Sequence, residues 1–174
     1  MTNFDYLKQE SKFDSFSDVA ISAEKVLHID IDLSVINCRR AMEFAIKWMY
    51  SVDKSLQMPY QDTLHSLMST EDFHNLVDDA LWKRLDLIRK IGNKTAHSRK
   101  KITMDEATLC LQNLFIFMDF VAYCYADSYV PYSPPPSTKR CCPTDTCISS
   151  TTRSASATAS IKNAASSETE EGST

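Results

Sequence analysis

The residues best suited to chemistry lie in one segment, I-R-K-I-G-N-K-T-A-H, residues 88–97. Arg89, Asn93 and His97 are spaced four apart, and on a continuous helix each step of four turns only about 40° around the axis. An arginine and an asparagine on one side of a helix could hold a phosphate or a base edge, and the histidine could transfer a proton near neutral pH. These three residues are the catalytic candidates. The alternative is a purely structural role, in which a row of polar residues joins two helices by hydrogen bonds.

The candidate site lies within a basic segment. From Lys83 to Lys101 eight residues are basic and one, Asp86, is acidic, so the segment carries +7 on a chain whose net charge is −4. A basic surface on an acidic body attracts polyanions, which predicts binding of DNA, RNA or a partner subunit. The alternative is a solvated helix face whose lysines pair with acids elsewhere. The predicted binding residues are Arg39, Arg40, Lys83, Arg84, Arg89, Lys90, Lys94, Arg99, Lys100 and Lys101.

Two of those arginines come from an earlier segment, N-C-R-R-A-M-E-F, residues 37–44. Arg39 or Arg40 can pair with Glu43 at i+4 or i+3 on a helix. Because the surrounding face is apolar, one arginine is expected to point inward and meet Asn93 or His97. The alternative is two ordinary solvent-facing arginines.

Composition excludes several classes of protein. The only glycines are Gly92 and Gly172, too few for the phosphate-binding loops of nucleotide-dependent enzymes or for hairpin-rich β folds. The N-terminus has no apolar signal region, and the most apolar run, Leu114 to Tyr125, is interrupted by Asp119 and is short for a membrane span. The sequence therefore predicts a cytoplasmic protein without membrane association or cofactor.

The six cysteines predict neither a disulfide framework nor a zinc site. Three lie in apolar helical patterns, where a free cysteine is expected to be buried: Cys38, Cys110 and Cys124. The other three have no nearby histidine and no paired spacing, so no metal site is predicted: Cys141, Cys142 and Cys147.

Hydrophobic periodicity predicts an all-α bundle of five to six helices over residues 15–128, with an N-terminal arm, residues 1–14, and a disordered tail rich in Pro, Ser, Thr and Ala, residues 129–174. The expected helix starts are Ser15 or Ser17, Asp32 or Ser34, Asp62, Thr70 and Asp78 or Asp79. The last helix opens with a capping box, Thr103 to Glu106, and continues to about Asp127. Gly92 either ends its helix or allows a close approach.

Five blocks in order carry a family resemblance: FDSFSDVAISAEKVLHID, NCRRAMEFAIKWMY, PYQDTLHSLM, IRKIGNKTAH and DEATLCLQNLFIFMDFVAYCY. Over residues 4–130 the chain resembles a helical domain of unknown function found at the N-terminus of R subunits of bacterial type I restriction enzymes, and in small stand-alone proteins. The nuclease and motor domains of an R subunit have no counterpart here. The resemblance implies a non-catalytic interaction module that binds nucleic acid or a restriction-modification subunit, or an inactive, truncated R-subunit fragment.

The domain is also similar to the HEPN superfamily, helical bundles that include metal-independent ribonucleases. Active members assemble a site across a dimer interface from an arginine, a polar residue and a histidine. Asn93 and His97 match the last two, whereas Gly92 stands at the arginine position and Arg89 lies one turn earlier. The similarity implies a homodimer and, as an alternative function, a ribonuclease in which His97 is the general base.

Overall fold

A computed structural model describes residues 1–97 and 101–127, except the side chain of His97. Six α-helices and no strand occur in this part of the chain: α1 (Asp14–Val26), α2 (Ile31–Val52), α3 (Leu64–Met68), α4 (Glu71–Leu76), α5 (Asp79–His97) and α6 (Met104–Tyr125). The predicted all-α fold of five to six helices is confirmed. The predicted tail, residues 129–174, lies outside the described residues.

The long helix α2 is the centre of the bundle. It packs against α1, α5 and α6, and α5 and α6 also pack against each other. The face of α2 turned to these neighbours is the apolar stripe that its sequence shows, and its residues are fully buried: Val35, Cys38, Met42, Ala45 and Met49. The two helices that carry most of the basic candidates, α2 and α5, are therefore in direct contact.

The α2 helix begins earlier than predicted. Asp30 is its cap, because its carboxylate accepts a hydrogen bond from the backbone N–H of Leu33 at 2.9 Å. Ser34, a predicted cap, is instead buried and donates its hydroxyl to the carbonyl of Ala23 in α1 at 2.7 Å. The prediction of Asp32 or Ser34 as the cap was wrong, since a third capping residue stands just upstream.

The other helix starts lie close to their predicted positions. Thr70 caps α4 as predicted, whereas α3 starts at Leu64 with Thr63 as its cap, two residues after the predicted start at Asp62. The Asp78 side chain accepts a hydrogen bond from the backbone N–H of Leu81 at the start of α5. The capping box of α6 is present.

The N-terminal arm packs on the domain. It forms two short 3₁₀ turns, Asp5–Gln9 and Ser11–Phe13. Phe4 and Phe13 are fully buried, and the Phe4 ring meets the Phe115 ring edge to face, with centroids 5.9 Å apart.

The α6 helix is long and apolar enough to cross a membrane by length and composition alone. Half of its most apolar stretch is buried inside the domain, and a core helix passes the same criterion. The helix is longer than the apolar run Leu114 to Tyr125, because it is continuous from Met104 to Tyr125. Its outward side still exposes apolar residues seven positions apart: Leu109, Ile116 and Tyr123.

Two of the three helical cysteines are buried, as predicted. Burial raises the pKa of the Cys110 thiol to about 12, and it also raises the pKa of Cys38. Cys124 is exposed, so its predicted burial was wrong. It lies near the end of α6, beyond Ala122, the last buried residue of that helix.

Candidate functional site

The helix that carries the candidate residues is unbroken. α5 runs from Asp79 to His97, so Gly92 does not end it, and Arg89, Asn93 and His97 keep their four-residue spacing along one side of its backbone. Arg89 and Asn93 are half-buried. The side chain of His97 lies outside the described part of the chain, as do Arg99 and Lys100.

The guanidinium of Arg89 is committed to an acid of its own helix. Its Nε and Nη2 atoms donate to one carboxylate oxygen of Asp86 at 3.0 and 2.6 Å. The ammonium of Lys90 lies 2.7 Å from the other oxygen of Asp86. Burial by itself would raise the pKa of Asp86, but the hydrogen bonds from Lys90 and Arg89 outweigh it and lower the pKa. One buried carboxylate therefore holds two of the predicted binding residues.

Lys94 is also paired inside the domain. Its ammonium lies 2.7 Å from the carboxylate of Glu106, in the first turn of α6. The same carboxylate accepts a hydrogen bond from the backbone N–H of Thr103 in the capping box. The hydrogen bond from Lys94 is the largest cause of the lowered pKa of Glu106, followed by that of Thr103. Lys94 thus links α5 to the start of α6.

Three further basic residues of the segment are exposed: Lys83, Arg84 and Lys101. Arg84 donates a hydrogen bond from Nη1 to the side-chain oxygen of Asn113, a buried residue of α6, at 2.9 Å. Lys83 and Lys101 form no ion pair with any residue in the described ranges. The alternative of internally paired lysines therefore applies to part of the segment and not to all of it.

Arg39 is the arginine of α2 that points inward, and it meets α5 at Gly92. A Cβ atom built on Gly92 would lie 2.5 Å from Cδ and 2.9 Å from Cβ of Arg39. Both distances are shorter than any ordinary carbon contact, so only glycine leaves room for the aliphatic part of the arginine. Of the two readings of Gly92, close approach is the correct one.

The charged end of Arg39 is poorly matched by its neighbours. Its nearest carboxylate is that of Glu43, 3.8 Å from Nη1, which is too long for a hydrogen bond. Glu43 is closer to Lys47, at 3.2 Å. The Nε atom of Arg39 is buried and has no hydrogen-bond partner among the described residues.

Arg40 behaves differently from its neighbour. It is exposed, and its guanidinium carbon lies 5.8 Å from the centre of the Phe44 ring, within the range of a cation–π contact. Arg39 is therefore the arginine that points inward, and Arg40 faces solvent. The contact of Arg39 is with Gly92, whereas no hydrogen bond joins it to Asn93, and the side chain of His97 lies outside the described residues.

Two acids of the site, Asp86 and Glu106, were not predicted as partners of specific cations, whereas the pairing of Glu43 with an arginine of α2 was predicted, and Glu43 lies 3.8 Å from Arg39. The signal for Asp86 was its spacing of three and four residues before Arg89 and Lys90, which favours ion pairs on a helix. Among the residues that the structure describes, no group of three His, Cys, Asp or Glu side chains could hold a metal ion.

Comparison of the chain with curated proteins and with solved structures found no match. A family model does match, over residues 22–129, which takes in the end of α1, all of α2 to α6 and hence every element of the candidate site. The matched range covers more than half of the chain. The chain therefore belongs to the family described as a domain of unknown function, DUF4145.

Proposed function

We propose that the domain is a non-catalytic interaction module that binds the phosphate backbone of nucleic acid through the outer face of α5. The observation that carries the proposal is the alignment of Lys83 and Lys90. Seven residues correspond to nearly two full turns, so the two lysines lie on one face. Lys83 is exposed, and Lys90 keeps 66% of its side chain accessible although it touches Asp86.

The charge of α5 supports the same proposal. The helix has five basic and two acidic residues, a net charge of +3, within a chain of net charge −4. Asp86 neutralises part of this charge, but it leaves the lysine ammonium groups at the surface. Exposed lysines attract phosphate mainly as point charges, without reading sequence. Binding that depends on salt and only weakly on sequence is expected.

The resemblance to the N-terminal domain of type I restriction R subunits implies the kind of complex in which the domain would act. A module that contacts nucleic acid while attached to a restriction or defence complex needs no chemistry of its own. A partner subunit with an acidic surface would use the same face of α5, so the test must separate the two ligands.

The test is fluorescence anisotropy with labelled duplex DNA and single-stranded RNA over a salt series. We expect the logarithm of the binding constant to fall linearly with the logarithm of salt concentration, by about 0.9 per phosphate contact on duplex DNA. The Lys83→Gln/Lys90→Gln variant should reduce this slope by about two. A Lys25→Gln/Lys54→Gln variant, which removes the same charge from exposed positions outside α5, is the matched control.

Equal slopes for the two double variants would contradict the α5 contact. No binding to either nucleic acid would contradict the nucleic-acid proposal altogether, and would favour an acidic protein partner on the same face.

A second candidate function is that of a HEPN-like, metal-independent ribonuclease acting as a dimer. The contact between Arg39 and Gly92 favours it, because Gly92 stands at the arginine position of that superfamily and the aliphatic part of an arginine from α2 lies against that position. Arg89 is less suited to the role, since Asp86 holds its guanidinium. Asn93 and His97 would supply the polar residue and the general base.

RNA cleavage in the presence of a chelator tests this alternative. Wild type should cleave, and His97→Ala and Arg39→Gln should both lose activity, whereas Arg40→Gln should retain it. Equal cleavage by wild type and His97→Ala would show that any activity comes from elsewhere.

A further inference from the structure

Arg39 differs from the paired cations of α5 because no acid among the described residues forms a hydrogen bond with it. Arg89, Lys90 and Lys94 each have a carboxylate oxygen within 2.7 Å. Arg39 has only Glu43, at 3.8 Å, and its Nε is buried without a partner in the described residues. A guanidinium has five N–H donors. The N–H group on Nε of Arg39 is buried, so the four N–H groups on its two Nη atoms are the ones left for water or for an external acceptor.

The side chain of Arg39 is nevertheless held in place. Its aliphatic stem lies against Gly92, in the space that a Cβ atom would fill. About two thirds of the side chain is buried, and the remaining 32% reaches the surface. An arginine fixed in this way loses less conformational freedom when it binds a ligand than an exposed arginine does.

Two residues of α5 beside Gly92 bear on what Arg39 could bind. Asn93 follows Gly92 directly, is half-buried, and forms no hydrogen bond through its side chain with another described residue. Ala96 lies one turn beyond Gly92, and it is small and exposed. An amide without a hydrogen-bond partner among the described residues and an exposed alanine therefore follow Gly92 along α5.

We infer that Arg39, together with Asn93, forms a binding site for one phosphate group at the crossing of α2 and α5. The planar guanidinium can donate two parallel hydrogen bonds to phosphate oxygens, and the amide of Asn93 adds a donor. The inference deepens the proposed function and rests on it for the class of ligand. It uses different residues, however: the lysines of α5 supply general attraction, and Arg39 supplies one localised contact.

Titration of the full chain with inorganic phosphate tests the inference. Affinity is measured by calorimetry, and the Nε–H signals of the arginines are followed by NMR. Saturable binding should shift the Arg39 signal, which is identified by its loss in Arg39→Gln. Arg39→Gln should weaken binding by about tenfold or more, the typical worth of a charged hydrogen bond. Arg40→Gln removes the same charge one residue away and should change affinity less than about twofold.

Two further variants test whether phosphate binding depends on the position and shape of the Arg39 side chain or only on its charge. Gly92→Ala keeps every charge but displaces the stem of Arg39, so it should weaken phosphate binding while the helix persists. Arg39→Lys keeps the charge and loses the planar fork, so it should also bind more weakly than wild type. Circular dichroism confirms folding of each variant. No saturable binding to wild type, or equal affinities for Arg39→Gln and Arg40→Gln, would overturn the inference.

The source of the phosphate is tested with oligonucleotides that carry a 5′-phosphate or a 5′-hydroxyl. A preference for the phosphorylated end that disappears in Arg39→Gln indicates a terminal phosphate, and equal binding that weakens in Arg39→Gln indicates the backbone. If Lys83→Gln/Lys90→Gln lowers the salt slope and Arg39→Gln has no effect in any assay, the site at the crossing fails and the proposed function stands. The opposite pattern retains the phosphate site and contradicts the lysine face.

Discussion

The outer side of α5 and the crossing of α2 with α5 differ in how they hold basic side chains in place. On the outer side, Asp86 receives hydrogen bonds from Arg89 and an ion pair from Lys90. At the crossing, Arg39 is positioned by a contact with Gly92, and no acid in the described part of the chain is hydrogen-bonded to its guanidinium. Ion pairs with Asp86 position Arg89 and Lys90, whereas close packing against Gly92 positions Arg39. A count of basic residues in the sequence therefore overstates the charge that is free to bind a ligand.

The largest effect should come from filling the crossing. Gly92→Leu places a side chain where the stem of Arg39 lies, and overpacking a tight contact costs about 1–3 kcal/mol or more of unfolding free energy. We expect a loss of about 3 kcal/mol, measured by urea unfolding. Arg39→Ala in the same chain should restore part of the loss, because it empties the space.

Ala96→Leu is the matched control for that substitution, since Ala96 lies one turn further along α5 and is exposed. It should change stability by less than about 0.5 kcal/mol. Equal losses in Gly92→Leu and Ala96→Leu would contradict the tight contact.

Removing the acid of the outer side should have the next largest effect. Asp86→Asn leaves Arg89 and Lys90 without their carboxylate, and Arg89 is only 20% exposed. The expected loss is about 2 kcal/mol, within the range for a hydrogen bond to a charged group and below that of a fully buried pair. Asp79→Asn, at the exposed start of the same helix, is the control. A loss no larger than that of Asp79→Asn would mean that Asp86 is not a structural partner.

The same carboxylate predicts a pH dependence. The pKa of Asp86 is lowered in the folded domain, so its contribution to stability is fully present above the unfolded value, about 3.9, and is lost as pH falls through the folded value. The difference in unfolding free energy between wild type and Asp86→Asn should therefore be constant near neutral pH and shrink below about pH 4. Unfolding curves at a series of pH values measure it. If the difference in unfolding free energy instead increased as the pH falls, the expected direction of the pH dependence would be contradicted.

Much of the fold could be predicted because its information is local. The apolar stripe of α2, the Thr70 cap and the capping box at Thr103 and Glu106 are each visible within a few residues. Errors arose where two local solutions competed, as at Asp30 and Ser34. The exposure of Cys124 depends on where the buried part of α6 ends, which the continuing apolar sequence does not mark.

The candidate site was less predictable because its decisive contacts join different helices. The spacing of Asp86, Arg89 and Lys90 is visible in the sequence, since it lies on one helix. The contact of Arg39 with Gly92 depends on how α2 crosses α5. The glycine was a signal that something approaches closely, but no local rule identifies the residue that does so.

The smallest predicted effect is that of removing Glu43, the acid nearest to Arg39. Glu43 lies 3.8 Å from Arg39 and 3.2 Å from Lys47, and partly exposed pairs at such distances contribute about 0–1 kcal/mol. Glu43→Gln should therefore cost less than about 0.5 kcal/mol of unfolding free energy, far less than Asp86→Asn. Because it also removes the acid nearest to Arg39, it should leave inorganic phosphate binding unchanged or strengthen it by about twofold. Weaker phosphate binding in Glu43→Gln would mean that the carboxylate orients Arg39, so that this arginine, like Arg89, is held by charge.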